Sequence, residues 1–208
     1  MREPLSKLAR REAIYQAAIS LFETKGYENV TIQDVVAKCN VARGTFYLHF
    51  DSLETLLITW FDDVTEQTWA RMRPYLEDLS IPFETCTRQV IHEVFALFTE
   101  NPSMSKAFYC GGGETFMRRR HEAMFGKLGG KLLEALTIRH PDNHRRMTWT
   151  VAMLISLVSD MSNYASQNIA ASDLQLLEDE VANFAIAGLK ANLAFDQPPL
   201  DHHSGIDG

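Results

Sequence analysis

The chain has 208 residues and a mass of 23.6 kDa, enough to bury a core without covalent staples; its three cysteines, Cys39, Cys86 and Cys110, make no CxxC pair, which excludes a disulfide framework and a cysteine-rich zinc module. A hydrophobic fraction of 46% and a mean hydropathy of -0.16 exclude a disordered chain, and no apolar run approaches the roughly 20 residues that span a bilayer. The net charge of -7 argues against a general polyanion binder, but residues 1–50 carry +2 (seven basic, five acidic) and the remainder -9, an asymmetry that fits a nucleic-acid-facing segment on an acidic body.

Helical spacing dominates and no alternating stretch competes as a strand, so an all-α fold is expected. The first helix is predicted over Lys7 to Lys25, with Ile14, Ala17, Ala18, Leu21 and Phe22 as its apolar stripe and Gly26 as the residue that ends it. Thr31 caps a second helix to near Cys39, Asp34 completes a capping-box pattern, and Ile32, Val35 and Val36 supply the buried face. Asn40 suits the left-handed conformation of a tight turn into a very short third helix, Ala42 to about Phe50. Ser52 caps a longer helix carrying Leu53, Leu56, Leu57, Trp60, Phe61, Val64 and Thr68, which Pro74 is expected to stop near Arg73.

Pro82 opens the next helix, with Val90, Ile91, Val94, Phe95 and Phe98 at core spacing and an end at Asn101 and Pro102. Ser103 to Cys110 is shorter, broken by Gly111, Gly112 and Gly113. A helix from about Glu114 to Arg139 is loosened in its middle by Gly126, Gly129 and Gly130. Pro141 separates it from Arg145 to Asn168, where Val151 to Val158 is so apolar that burial on both sides is expected. The last helix runs from about Ser172 to Ala194, and the tail from Gln197 reads as disordered.

Thr31 to Phe50 holds two short helices joined by a three-residue turn, a helix-turn-helix whose second helix is the groove reader. Val41, Phe46 and Phe50 face inward, leaving Arg43, Gly44, Thr45, Tyr47 and His49 on the surface: a bidentate donor for guanine, a residue that permits close approach, and groups that reach phosphate oxygens. The order of residues resembles the tetracycline-repressor (TetR) family of bacterial transcription regulators. Its signature is matched by Phe22, Gly26 and Tyr27, by Thr31, Ile32, Val35, Val36 and Ala37, and by Val41 through Tyr47 with His49 and Phe50. The resemblance implies that Arg43 and Gly44 approach bases, that Thr31, Thr45, Tyr47 and His49 hold phosphates, and that Lys7, Arg10 and Arg11 lie near the minor groove or backbone. Four positions depart from the pattern: Asn40 replaces the turn glycine, Ala42 removes a helix cap, Leu53 stands where a lysine is common, and Leu48 is apolar where a polar residue is common.

The resemblance also implies that residues 51–208 dimerise and bind a small molecule, with residues 1–50 as the DNA-binding domain. From pattern alone, the helices carrying Leu154 and Val158 and Leu177, Val181, Phe184 and Gly188 are either a four-helix interface between two subunits or internal core. Trp60, Phe61, Phe95, Phe98, Phe108, Tyr109, Phe116, Met153 and Tyr164 are large, soft side chains that either line an effector cavity or fill the core, and Asp160 shares a face with Met153 and Tyr164. The triple glycine is either a movable cavity wall or a plain helix break.

Other chemistry is set aside. Gly126 to Lys131 lacks the spacing and hydroxyl residue of a phosphate loop, His140 and His144 flank Pro141 and do not present as a metal pair, and Arg118, Arg119 and Arg120 read as a solvated face. No catalytic constellation, metal site or cofactor motif is found, so no enzyme is expected. Met1 to Arg11 has no following apolar stretch and so does not read as a secretory signal; with the cysteine usage, this predicts a cytoplasmic protein with no membrane partner. The expected function is a homodimeric repressor released from a pseudo-palindromic operator by a lipophilic effector; the alternative is an all-α DNA-binding protein controlled by a protein partner.

Overall fold

The computed structural model describes residues 6–100, 102–139 and 144–194, and these are helical with no strand among them. Three helices form the N-terminal unit: α1 (Lys7–Lys25), α2 (Ile32–Cys39) and α3 (Arg43–Tyr47), with a single 3-10 turn at Tyr27–Asn29. The caps read from the sequence are present. Thr31 Oγ1 accepts from the Asp34 N–H at 3.2 Å while the Asp34 carboxylate accepts from the Thr31 N–H at 2.9 Å. Asn40 takes φ 52° and ψ 51°, alone among the described non-glycine residues at positive φ, and Ala42 leaves α3 without a side-chain cap.

The body consists of α4 (Leu53–Glu77), α5 (Phe83–Thr99), α6 (Pro102–Cys110), α7 (Glu114–His121), α8 (Gly129–Arg139), α9 (His144–Asn168) and α10 (Ala171–Ala194). Two boundaries differ from the sequence expectation. α4 passes through Pro74 to Glu77: the carbonyl that proline leaves without its helical donor belongs to Ala70, an exposed residue that water can satisfy. The predicted helix 114–139 is divided by a π-helical stretch, Glu122–Leu128, which widens the turn just before Gly129 and Gly130. The tail from Gln197 lies outside the described residues, as does His140.

The core has three parts. The largest joins the N-terminal unit to the body: Ile14, Ala18 and Phe22 of α1 and Phe46 of α3 are continuous with Leu56, Leu57 and Trp60 of α4, Phe108 of α6 and Phe116 of α7. Phe22 stacks on Trp60 with centroids 6.0 Å apart, and Trp60 meets Phe108 edge to face at 5.1 Å. Truncating a fully buried phenylalanine such as Phe22 costs about 3–5 kcal/mol. A second cluster unites α5, α9 and α10 around Ile91, Phe95, Val158, Val181 and Ala185, and a third lies between α4, α5 and α8 around Met72, Leu76 and Leu128.

The glycine run packs tightly. A Cβ on Gly111 would stand 2.3 Å from the Ala107 carbonyl oxygen and 3.1 Å from the Tyr27 ring, and Gly112 holds φ +73° directly under Phe116. These residues end α6 against the N-terminal unit, which favours the plain helix break over a movable wall.

Candidate nucleic-acid interface and ligand cavity

α3 buries Phe46 completely, and Phe50 just beyond its end is 2% exposed, so the opposite side of the helix faces solvent. Arg43 and Gly44 are exposed, Tyr47 is nearly half exposed, and Thr45 and His49 are half-buried on the flank. Arg43 Nη2 donates to the Tyr47 hydroxyl at 3.4 Å and its guanidinium lies 6.0 Å from that ring, so the two side chains form one polar unit. Arg11 of α1 sits 4.8 Å from the centroid of Phe50, beside the end of α3, with Lys7 exposed and Arg10 half-buried on the preceding turn.

Thr31 is placed differently from the expectation. Its hydroxyl donates to Asp34 Oδ2 at 2.5 Å and its backbone N–H donates to the same oxygen. Both donors are spent on the cap, so Thr31 serves α2 and is not free to hold a phosphate. The hydrogen bonds from Thr31, then Lys25, hold the Asp34 carboxyl well below the usual carboxylate range.

Inside the body, an apolar cavity of about 120 Å3 runs between α4, α5, the π-helical stretch, α8 and α9. Phe61, Phe98 and Phe108 line it, together with Met72, Val90 and Leu154. Three threonines also line it, yet contribute almost no polarity: Thr65, Thr68 and Thr87 donate to the carbonyls of Phe61, Val64 and Phe83, four residues back, at 2.8, 2.8 and 2.9 Å. Their hydroxyls are consumed within the helices and their methyl groups face the space.

A second pocket of about 270 Å3, open to solvent, shares Phe61, Phe98, Phe108, Met124, Ile155 and Ser159 with the first and adds polar groups to that apolar wall. Tyr109, Arg120, His121, Ser156 and Asp160 line it. The Arg120 guanidinium lies 4.7 Å above the Tyr109 ring and donates to the Phe108 carbonyl at 3.0 Å. Burial, reinforced by the Asp160 charge, pushes the Tyr109 hydroxyl up. Arg120 therefore does not belong to a solvated face as its neighbours in sequence suggested. An arginine run gives no signal for which member turns inward, and the threonine-lined wall of α4 was equally hidden, because core and cavity share one periodicity.

Of the expected effector residues, Phe61, Phe98 and Phe108 line both spaces, and Tyr109 and Asp160 line the polar one. Trp60 and Phe116 are packed in the core shared with the N-terminal unit, and Phe95 in the cluster of α5, α9 and α10. Met153 and Tyr164 stand on the outer surface, 59% and 48% exposed. Of the expected interface residues, Val158 and Val181 are buried inside the protomer, with Leu154 and Leu177 packed against them. Val158 and Val181 are thus internal core against α5, the second of the two readings, while Leu154 and Leu177 are half-buried beside them. Phe184 is 72% exposed and Gly188 has open space around it. Trp149 and Leu176 are also exposed on α9 and α10, which makes an outer apolar face. Among the described residues no helix is long and apolar enough to cross a membrane.

Comparison with known proteins gives the following. Residues 14–59 match the sequence profile of bacterial regulatory proteins of the tetR family. The HTH-type transcriptional regulator YerO of Bacillus subtilis (strain 168) is 34% identical over 83 residues, which cover 39% of this chain; the chain spans 29% of that relative's length. Among solved structures, FadR from Bacillus subtilis in complex with stearoyl-CoA superposes with a TM-score of 0.66 at 19% identity, covering 85% of this chain and 98% of its own. FadR from Thermus thermophilus in complex with lauroyl-CoA superposes at 0.67 and 19%, covering 86% and 94%. At such identities the likeness is one of fold.

Proposed function

We propose that this chain, which belongs by its N-terminal helix-turn-helix to the tetR family of bacterial regulatory proteins, works as a homodimeric transcriptional repressor released from a pseudo-palindromic operator by a lipophilic small molecule. Residues 1–50 read DNA and residues 51–208 sense the ligand and dimerise, in the cytoplasm and without enzymatic chemistry. Arg43 and Gly44 face base edges; Thr45, Tyr47 and His49 hold phosphates; Lys7, Arg10 and Arg11 serve the adjoining backbone. The outer face of α9 and α10 around Trp149, Phe184 and Gly188 is the subunit contact, isologous across a two-fold axis.

The observation that carries this reading is the position of Phe108. Its side chain lines both pockets and its ring also meets Trp60, which stacks on Phe22 of the first reader helix. A ligand that displaces Phe108 therefore moves the packing on which the reader stands. Two readers bound to half-sites about 34–36 Å apart tolerate little change in their separation.

The ligand suited to these spaces is an amphipath, with an alkyl or acyl chain in the apolar cavity and a polar head beside Tyr109, Arg120 and Asp160. The acyl-CoA complexes of the two FadR structures support a chain of that kind. The test is a calorimetric titration of lauroyl-CoA, laurate and dodecanol into the protein, free and bound to its operator. Linkage requires weaker ligand binding to the DNA complex; equal affinity in both states would sink the reading.

A further inference from the structure

We infer that Leu48 reads thymine, its isobutyl group packing on the C5-methyl of a thymine in the major groove. The inference rests on the reading of α3 as the groove helix. Leu48 is 76% exposed and belongs to none of the three core clusters. It follows α3 on the side directly away from Phe46 and Phe50, one helical turn after Gly44. Apart from its chain neighbours and the backbone of its own helix, no atom lies within 4 Å of the place where a Gly44 Cβ would stand. The outermost ridge of the reader is therefore smooth and apolar: a glycine that lets a surface approach, then a leucine that meets it. Arg43 and Tyr47 stand on one flank and the half-buried Thr45 and His49 on the other.

The thymine methyl is the apolar group that the base pairs offer in the major groove. Leucine neither donates nor accepts a hydrogen bond. Pressed against guanine N7 and O6, adenine N6 or cytosine N4, it strips water from polar atoms without replacing it, which adds discrimination against those bases. Burying the one methyl by which thymine differs from uracil gives thymine about a fourfold advantage, from roughly 0.8 kcal/mol per buried CH2. 5-Methylcytosine presents the same methyl beside an amino donor, so it separates contact with the methyl from recognition of the whole base.

The full-length protein is used to select duplexes from a random-sequence pool, and the best duplex is resynthesised with each thymine replaced in turn by deoxyuridine. One thymine per half-site is expected to lose about fourfold in affinity on that replacement, with no loss for Leu48→Ala, whose fold is checked by circular dichroism. Leu48→Gln is expected to select a base other than thymine at that position. Placing 5-methylcytosine there should recover part of the affinity lost with cytosine. No thymine sensitive to loss of its methyl, or the same loss in Leu48→Ala as in the wild type, overturns the inference and leaves the groove reading standing. Affinity and selected sequences that are both unchanged by Arg43→Ala and by Tyr47→Phe overturn both.

Discussion

Glu54 holds the N-terminus of α7: its Oε1 accepts from the Gly113 N–H at 2.9 Å, and also from the Phe116 N–H at 3.1 Å. The first turn of the helix that leaves the reader thereby satisfies two orphan donors of the helix that carries Phe116 and Arg120. Burial, and then the Glu54 charge, push the neighbouring Tyr27 hydroxyl up. Glu54→Ala is expected to lower stability by about 1 kcal/mol, the scale of a lost N-cap, and to weaken ligand-driven release of DNA more than ligand binding itself. Urea unfolding and a release titration separate the two effects; full release at reduced stability would leave the Phe108, Trp60 and Phe22 contact as the working connection.

The apolar cavity can be tested through its threonines. Thr68→Val removes a hydroxyl that faces its own helix, so stability should stay within about 1 kcal/mol of wild type and affinity for an alkyl-chain ligand should hold or rise. Phe108→Ala should instead cost about 3–5 kcal/mol and admit bulkier ligands. Thermal unfolding with and without dodecanol reads both, and a sharp loss of ligand affinity in Thr68→Val would mean that the hydroxyl contacts the ligand.

Acid should act on the reader through its capping box. The folded-state pKa of Asp34 is depressed below the ordinary 3.8 by its bonds to Thr31 and Lys25. A depressed carboxyl contributes stability above the unfolded value and loses it as pH falls from about 4 toward the folded value. Wild type should therefore exceed Asp34→Asn in melting temperature at pH 7, with the gap closing below pH 4. A gap constant from pH 7 to pH 3 would assign the difference to geometry and not to charge.

Phe184→Glu should convert the proposed dimer into a folded monomer, because the side chain is mostly exposed and belongs to none of the three core clusters. Val158→Glu should unfold the chain instead. Sedimentation and circular dichroism distinguish the outcomes, and a Phe184→Glu protein that sediments as a dimer would move the interface elsewhere.

Arg43→Ala is expected to relax preference at one base pair, by about 1–3 kcal/mol, while Tyr47→Phe weakens all sequences alike. Competition binding with single-position variants of the selected duplex reads the two patterns. A uniform loss in both would make Arg43 a phosphate contact.

Local chemistry was legible in the sequence. Thr31 with Asp34, Asn40, Gly26 and Ser52 each solve a backbone problem within a few residues, and each stands where the spacing put it. What periodicity could not tell was which neighbour a stripe meets. Val158 and Val181 had a pattern that suits an interface or a core and meet α5 of their own chain, while Met153 and Tyr164, on another face of α9, point outward. Arg120 was hidden for the same reason: its inward turn depends on Tyr109, which lies on another helix.

The stack of Phe22 on Trp60 also bears on how such a protein can be recombined. Excised after residue 50, the three N-terminal helices would leave Phe22 facing water where Trp60 had covered it, in a core that α4 and α6 complete. Grafting this reader onto a foreign sensor by joining two sequences at that point breaks a core, not a linker. A working chimera would need to carry the start of α4 and the Phe108 turn of α6 along with the three N-terminal helices, so the exchangeable unit is discontinuous in sequence.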